Sequence, residues 1–180
     1  MSTEQPVSRP IDAWLVCGGR YHDIDHARLE LLRLLAEHPR VRVRVREDYR
    51  DLDGLEQADF LITYTVDQVP DAAGERRLHD FVAGGKRWLA LHGTNSLLRL
   101  EGKRWVAPRE APLFMETLGS QFLAHPPIRP YRVEVTDPDH PLVAGIEPFM
   151  ADDELYLSAL HGPLKVLLHT RWSGTSRLFA

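Results

Sequence analysis

Short apolar runs alternate with segments of helical spacing along the first half of the chain, and this alternation restricts it to a mostly parallel sheet with helices on its faces. Asp12 to Cys17 form a nearly continuous apolar run closed by Gly18 and Gly19, the pattern of a strand buried on both faces. Leu29, Leu31, Leu32, Leu34 and Leu35 then recur at helical spacing until His38-Pro39 ends the pattern. Val41, Val43 and Val45 alternate with Arg42, Arg44 and Arg46, as in a strand near a sheet edge with one face in solvent. Phe60 to Tyr64 predict a third strand, and a helical turn is expected around Leu52 to Ala58 before it. Asp71 to Ala83 predict a helix ended by Gly84-Gly85. Lys86 to Leu91 predict a fourth strand, which runs into His92 and Gly93 and then a short helix over 96–100.

The second half is less regular. A helix is expected from Pro112 to Leu118 and an alternating strand from Tyr131 to Thr136, with Pro138, Pro141 and Pro148 breaking the loop that follows. Further strands are expected at about 154–158 and 165–170. With 180 residues, no internal repeat and no linker-like tract, the chain is expected to be one domain over 11–180, preceded by a polar, disordered lead-in from Met1 to Pro10. The net charge of −4 argues against a nucleic-acid binder. No apolar run approaches the roughly 20 residues that span a bilayer, so no membrane partner is expected. Cys17 is the only cysteine, which rules out an internal disulfide and fits a cytoplasmic protein.

In an open parallel sheet, ligands bind among the loops at the carboxyl ends of the strands. Three such loops carry polar groups: Gly18 to Asp23, Thr65 to Asp67, and His92 to Asn95. His92 is the most informative residue, because a strand that delivers one reactive side chain onto a glycine has the geometry of a nucleophile elbow. An imidazole there can move a proton or bind a metal but is a poor covalent nucleophile. Gly93 meets a backbone requirement, either positive φ or close approach. His22 and His26 have the spacing of a metal pair, but His26 falls inside the first helix, so the segment Tyr21, His22 and Asp23 reads better as a ligand-contacting loop. His125 precedes Pro126 and Pro127, a stiff segment able to hold a side chain over a cleft. Asp152, Asp153 and Glu154 can orient a histidine, exchange a proton or bind a cation, or simply form a solvated turn. His140 belongs to a proline-bounded turn. His38, His79, His161 and His169 have no companion pattern, and the four tryptophans read as core, with Trp105 in a loop as the exception.

The order and number of several short motifs resemble the ThuA-like (trehalose-utilisation) family, whose fold is related to class I glutamine amidotransferases. They are Gly18, Gly19, Tyr21, His22 and Asp23; Asp59 with Leu61 to Thr65; Phe81, Val82, Gly84 and Gly85; Leu89 to Gly93; Gly119, Phe122, His125 and Pro126; Asp137, Pro138, His140 and Pro141; and Asp153 to Tyr156. The resemblance implies an α/β fold, a flavodoxin-like three-layer α/β/α sandwich with a mostly parallel sheet, and a role in disaccharide or keto-sugar catabolism. The amidotransferases carry cysteine where this chain carries His92, so glutaminase activity is not expected. The family usually continues past a segment like 166–174 into a further strand region. Its lack here would leave an open edge that favours a homodimer or needs cover from elsewhere.

Three functional expectations stand together. The first is an enzyme acting on a sugar derivative, such as a hydrolase, isomerase or lyase, with His92 as the central acid/base and His22, His125 and Glu154 beside it. Thr94 or Asn95 would hold substrate hydroxyls, and Gly19, Tyr21, Asp23, Thr65, Gly93 and Tyr156 would line the pocket. The second is a divalent-metal centre with ligands from His22, His92, His125 and Asp153 or Glu154. The third is a sugar-binding or regulatory module without catalysis, for which the histidines only shape the pocket.

Overall fold

The structure, a computed structural model, describes residues 9–172. The expected disordered lead-in therefore lies outside the described residues except for Arg9 and Pro10, as does the end of the 166–174 segment beyond Trp172. The chain forms two compact units. The first comprises the described residues up to Leu97 together with Arg109–Leu118, and the second comprises Leu98–Pro108 and the described residues from Gly119 onward.

The first unit is built on four parallel strands, β1 (Ile11–Gly19), β2 (Val41–Arg46), β3 (Phe60–Val66) and β4 (Arg87–Leu91), in the order β2-β1-β3-β4. Central β1 buries six consecutive residues, Ala13 to Gly18, as its unbroken apolar run requires. Its side chains alternate between two cores. Trp14 and Val16 face one with Leu61, Leu78, Phe81, Phe114 and Met115, while Leu15 and Cys17 face the other with Ile62 and Leu35. Each large side chain buried this way contributes about 1.5–3 kcal/mol. The first core is covered by α2 (Ala72–Ala83) and α3 (Pro112–Leu118), and the second by α1 (Ile24–Ala36), which places helices on both faces of the sheet. The Val/Arg alternation of β2 is matched by its place at the sheet edge.

Local signals account for the helix ends. Asp23 caps α1 by accepting a hydrogen bond from the His26 amide at 2.9 Å, and Asp71 caps α2 by accepting from the amides of Ala73 and Gly74. A 3-10 turn at Leu55–Gln57 supplies the turn expected before β3. Among the described residues no helix is long and apolar enough to cross a membrane.

The second unit is antiparallel. β5 (Arg99–Glu101) and β6 (Arg104–Val106) form a hairpin, β7 (Ser120–Ala124) pairs with β10 (Leu157–Leu160), and β8 (Arg129–Val135) lies between β9 (Phe149–Asp153) and β11 (Leu168–His169). Three expectations are corrected here. The helix expected over 96–100 is replaced by the start of the β5–β6 hairpin, closed at Gly102 with φ +63°. This hairpin also places Trp105 on a strand rather than in a loop. Asp152 and Asp153 are the last residues of β9, so the next strand begins only at Leu157.

Two stability measurements follow. Leu15→Ala opens a cavity at a fully buried site and is expected to cost about 2–5 kcal/mol in urea unfolding. Asp59 accepts hydrogen bonds from the Arg9 guanidinium and the Asp12 amide, which hold its carboxyl down at about 2 from an ordinary 3.8. A lowered folded-state value means that this contribution is present above 3.8 and fades as pH falls toward 2. The difference in urea midpoint between wild type and Asp59→Asn is therefore expected to be constant above about pH 5 and to vanish near pH 2.

Candidate functional site

The carboxyl ends of β1, β3 and β4 meet around one buried side chain, Val66, which is 2% exposed. On one side runs Gly19, at φ +115°, where a Cβ would lie 1.9 Å from the Val66 carbonyl oxygen. On the other runs Gly93, where a Cβ would lie 2.6 Å from Val66 Cγ2 and 3.1 Å from the Thr65 carbonyl oxygen. A side chain at position 19 would have to move the backbone, and one at position 93 would have to displace the Val66 side chain. Of the two reasons for glycine at position 93, close approach is the one that applies.

This crowding sets the positions of two histidines. His92 leaves β4 at φ +46°, a left-handed conformation that a non-glycine residue rarely adopts, and opens a 3-10 turn, His92–Asn95. His22 lies three residues beyond Gly19, between Tyr21 at φ +73° and the α1 cap Asp23. Their Nε2 atoms are 3.3 Å apart, and the rings meet edge-on with centroids at 4.6 Å. Tyr64 stacks on His92 with centroids 5.8 Å apart and ring planes 22° apart. Strand register brings it there, since Tyr64 pairs with Leu91, the residue before His92.

Under the turn lies a layer of buried hydroxyls. Thr94 Oγ1 lies 2.8 Å from the Leu91 carbonyl oxygen and 3.2 Å from both the carbonyl oxygen and Oγ1 of Thr63, and it accepts from the Thr65 amide at 3.4 Å. The Trp88 indole donates to Thr63 Oγ1 at 2.9 Å, and the Tyr49 hydroxyl lies 2.9 Å from Thr65 Oγ1. Burial pushes the Tyr49 phenol far up, so it stays neutral. Thr65 and Thr94 are thus supports beneath the turn rather than groups on its surface. Asp23 spends its carboxylate on the α1 cap, and Gly19 serves through its backbone. Exposed Tyr21 and half-buried Asn95 keep side chains at the carboxyl end of the sheet. Cys17 is fully buried and its thiol is pushed up by burial, the condition of an inert packing residue.

The second unit carries His125 and Glu154. His125 Nδ1 lies 2.8 Å from the Pro126 carbonyl oxygen, so this nitrogen carries the proton and donates it. Its Nε2 lies 3.8 Å from Glu154 Oε1. Phe122 holds the group from beneath, with its ring centroid 6.3 Å from His125 and 4.5 Å from Tyr156. Asp153 is exposed and accepts from the Glu154 amide at 2.7 Å, a local turn contact.

Reading the sequence missed two residues in the first unit. Tyr64 lay within a predicted strand, and only the pairing of β3 with β4 reveals it as the neighbour of His92. Asp67 follows β3 at φ +57° with its side chain 5% exposed and Arg20 Nε at 3.9 Å; its place in a carboxyl-end loop was the available signal. A concavity of about 780 Å³ lies elsewhere: Ile11, Phe60 and Arg87, the first residues of β1, β3 and β4, line it, so it opens at the amino ends of the strands. In open parallel sheets ligands bind at the opposite, carboxyl end of the strands.

A parallel α/β unit with a histidine pair at the carboxyl ends of its strands defines the class of this protein. Residues 14–177 match the ThuA family, described as trehalose utilisation, and the chain belongs to that family. Among solved structures it is similar to a ThuA-like protein from Bacteroides uniformis ATCC 8492, with 17% identity and a TM-score of 0.68 over 95% of this chain and 72% of that one. It is also similar to a ThuA-like protein from Parabacteroides merdae ATCC 43184, with 17% identity and a TM-score of 0.59 over 90% of this chain and 68% of that one. No curated protein matches it.

The hydroxyl layer makes a direct prediction. Thr94→Val keeps the shape of the side chain but leaves buried polar partners unsatisfied, and is expected to cost about 1–3 kcal/mol in urea unfolding. Nuclear magnetic resonance should also show the His92 ring signals shifted in this variant, because the turn that carries them rests on that hydroxyl.

Proposed function

We propose that the His22–His92 pair is the acid/base centre of an enzyme acting on a small carbohydrate derivative, a disaccharide or keto-sugar. The observation that carries this reading is the 3.3 Å approach of two imidazole nitrogens on converging loops at the carboxyl end of a parallel sheet. A neutral imidazole has one donor and one acceptor nitrogen, so two in contact can take a proton at one ring and return it from the other. The substrate proton is one on a sugar hydroxyl, or on the carbon beside a keto group where the carbonyl makes it acidic. Tyr64 holds the His92 ring by stacking on it. The description of the family as trehalose utilisation supports the substrate class.

Glutamine hydrolysis is disfavoured in this reading, because His92 stands where those enzymes carry cysteine and Cys17 is buried. The strand order β2-β1-β3-β4, with helices on both faces, supports the flavodoxin-like sandwich as the fold. We take the protein to act in the cytoplasm, in keeping with its single, buried cysteine.

The test is a thermal-unfolding screen against trehalose, other disaccharides and their 3-keto derivatives, followed by turnover assays on whichever compound binds. His92→Ala is expected to lower kcat by about 10²–10⁴-fold, the usual contribution of a general acid or base. Full turnover by that variant would overturn the assignment. Tight binding with no product at high protein concentration would replace the enzyme with a sugar-binding module.

A further inference from the structure

We infer that His22 and His92 together hold a divalent transition-metal ion through their Nε2 atoms. This inference rests on the reading of the pair as the functional centre and names what the pair binds when its Nε2 lone pairs are not engaged with protons, since a nitrogen that ligates an ion cannot also take a proton there. Two nitrogens that each lie about 2.0–2.1 Å from one tetrahedral ion stand about 3.3–3.4 Å apart. The two Nε2 atoms are 3.3 Å apart. The spacing therefore fits a shared ion.

The environment agrees with this geometry. Nε2 is a common metal-binding nitrogen of histidine, and the two rings bring these atoms together with their planes 77° apart. Each ligand is held by more than its own rotamer. Gly93 and the buried Thr94 network fix the His92 backbone, Tyr64 fixes its ring, and the Asp23 cap fixes the chain directly after His22. Imidazole ligands select zinc, nickel or cobalt over magnesium or calcium, which prefer all-oxygen shells. His26, four residues beyond His22, belongs instead to α1, where its amide is the group capped by Asp23.

The experiment uses untagged protein, freed of metal by dialysis against chelator, then titrated with zinc(II) by calorimetry and with cobalt(II) by visible absorption. One equivalent of zinc is expected to bind, cobalt to give the intense ligand-field bands of a four- or five-coordinate site, and magnesium not to compete. His22→Ala and His92→Ala are each expected to weaken zinc binding by about 100-fold or more, while His26→Ala binds as wild type. No stoichiometric binding by wild type, or undiminished binding by both variants of the pair, overturns the inference. Loss of binding in His26→Ala does so as well, because it moves the ion to the helical pair. In case a variant does not fold, ¹⁵N-histidine resonances of the wild type give an independent reading. Zinc is expected to shift the Nε2 signals of His22 and His92, and a shift confined to other histidines contradicts the assignment. The two proposals fail separately. No zinc binding by wild type, with turnover of a sugar that depends on His92, removes the ion and keeps the acid/base centre. Zinc binding with full turnover by His92→Ala keeps the ion and removes the centre.

Discussion

Everything at the carboxyl end of the sheet depends on how little room surrounds Val66. Its carbonyl oxygen excludes a side chain at Gly19 and its Cγ2 excludes one at Gly93, so the end of β1 and the turn after β4 are both pressed against the end of β3. Interiors packed to crystal-like density do not absorb an extra methyl group by small shifts. The two glycines convert that rigidity into a fixed separation between the segments that carry His22 and His92. A loop that could drift by an ångström would not hold two imidazole nitrogens at a defined distance, and neither proton transfer nor ion binding tolerates such drift.

Strain and support are balanced at the same place. His92 sits at a positive φ that costs of order 1–3 kcal/mol, and such conformations persist only where their surroundings over-determine them. Those surroundings are Thr63, Thr65, Thr94, Trp88 and Tyr49, a polar layer inside an otherwise apolar core. Hydroxyls buried without partners would destabilise the fold. With their hydrogen bonds satisfied, they tie the turn to β3 and β4 more specifically than apolar contacts could. Threonines near a site thus act through the backbone they hold.

Much of the first unit was legible in the sequence. The unbroken apolar run of β1 announced a central strand, the Val/Arg alternation of β2 an edge, and the Leu91-His92-Gly93 step a turn that presents a side chain. Period and glycine placement are local properties, and a sequence displays them directly. What was hidden depends on pairing. Tyr64 becomes a neighbour of His92 only through the β3–β4 register, and the burial of Thr65 and Thr94 follows from which face of β3 is covered. The second unit was harder to read because its strands are short and carry charge at their ends. Asp152 and Asp153 looked like a turn and are the last residues of β9, while Leu97, Leu98 and Leu100 looked helical and lead into a hairpin.

The central claim is that His22 and His92 work as one unit, and a double-mutant cycle on sugar turnover tests it most directly. If they do, His22→Ala, His92→Ala and the double variant lose nearly the same activity, because removing either ring already disables the pair. Losses that multiply, with the double variant falling by the product of the two single effects, would show two independent residues and contradict the account.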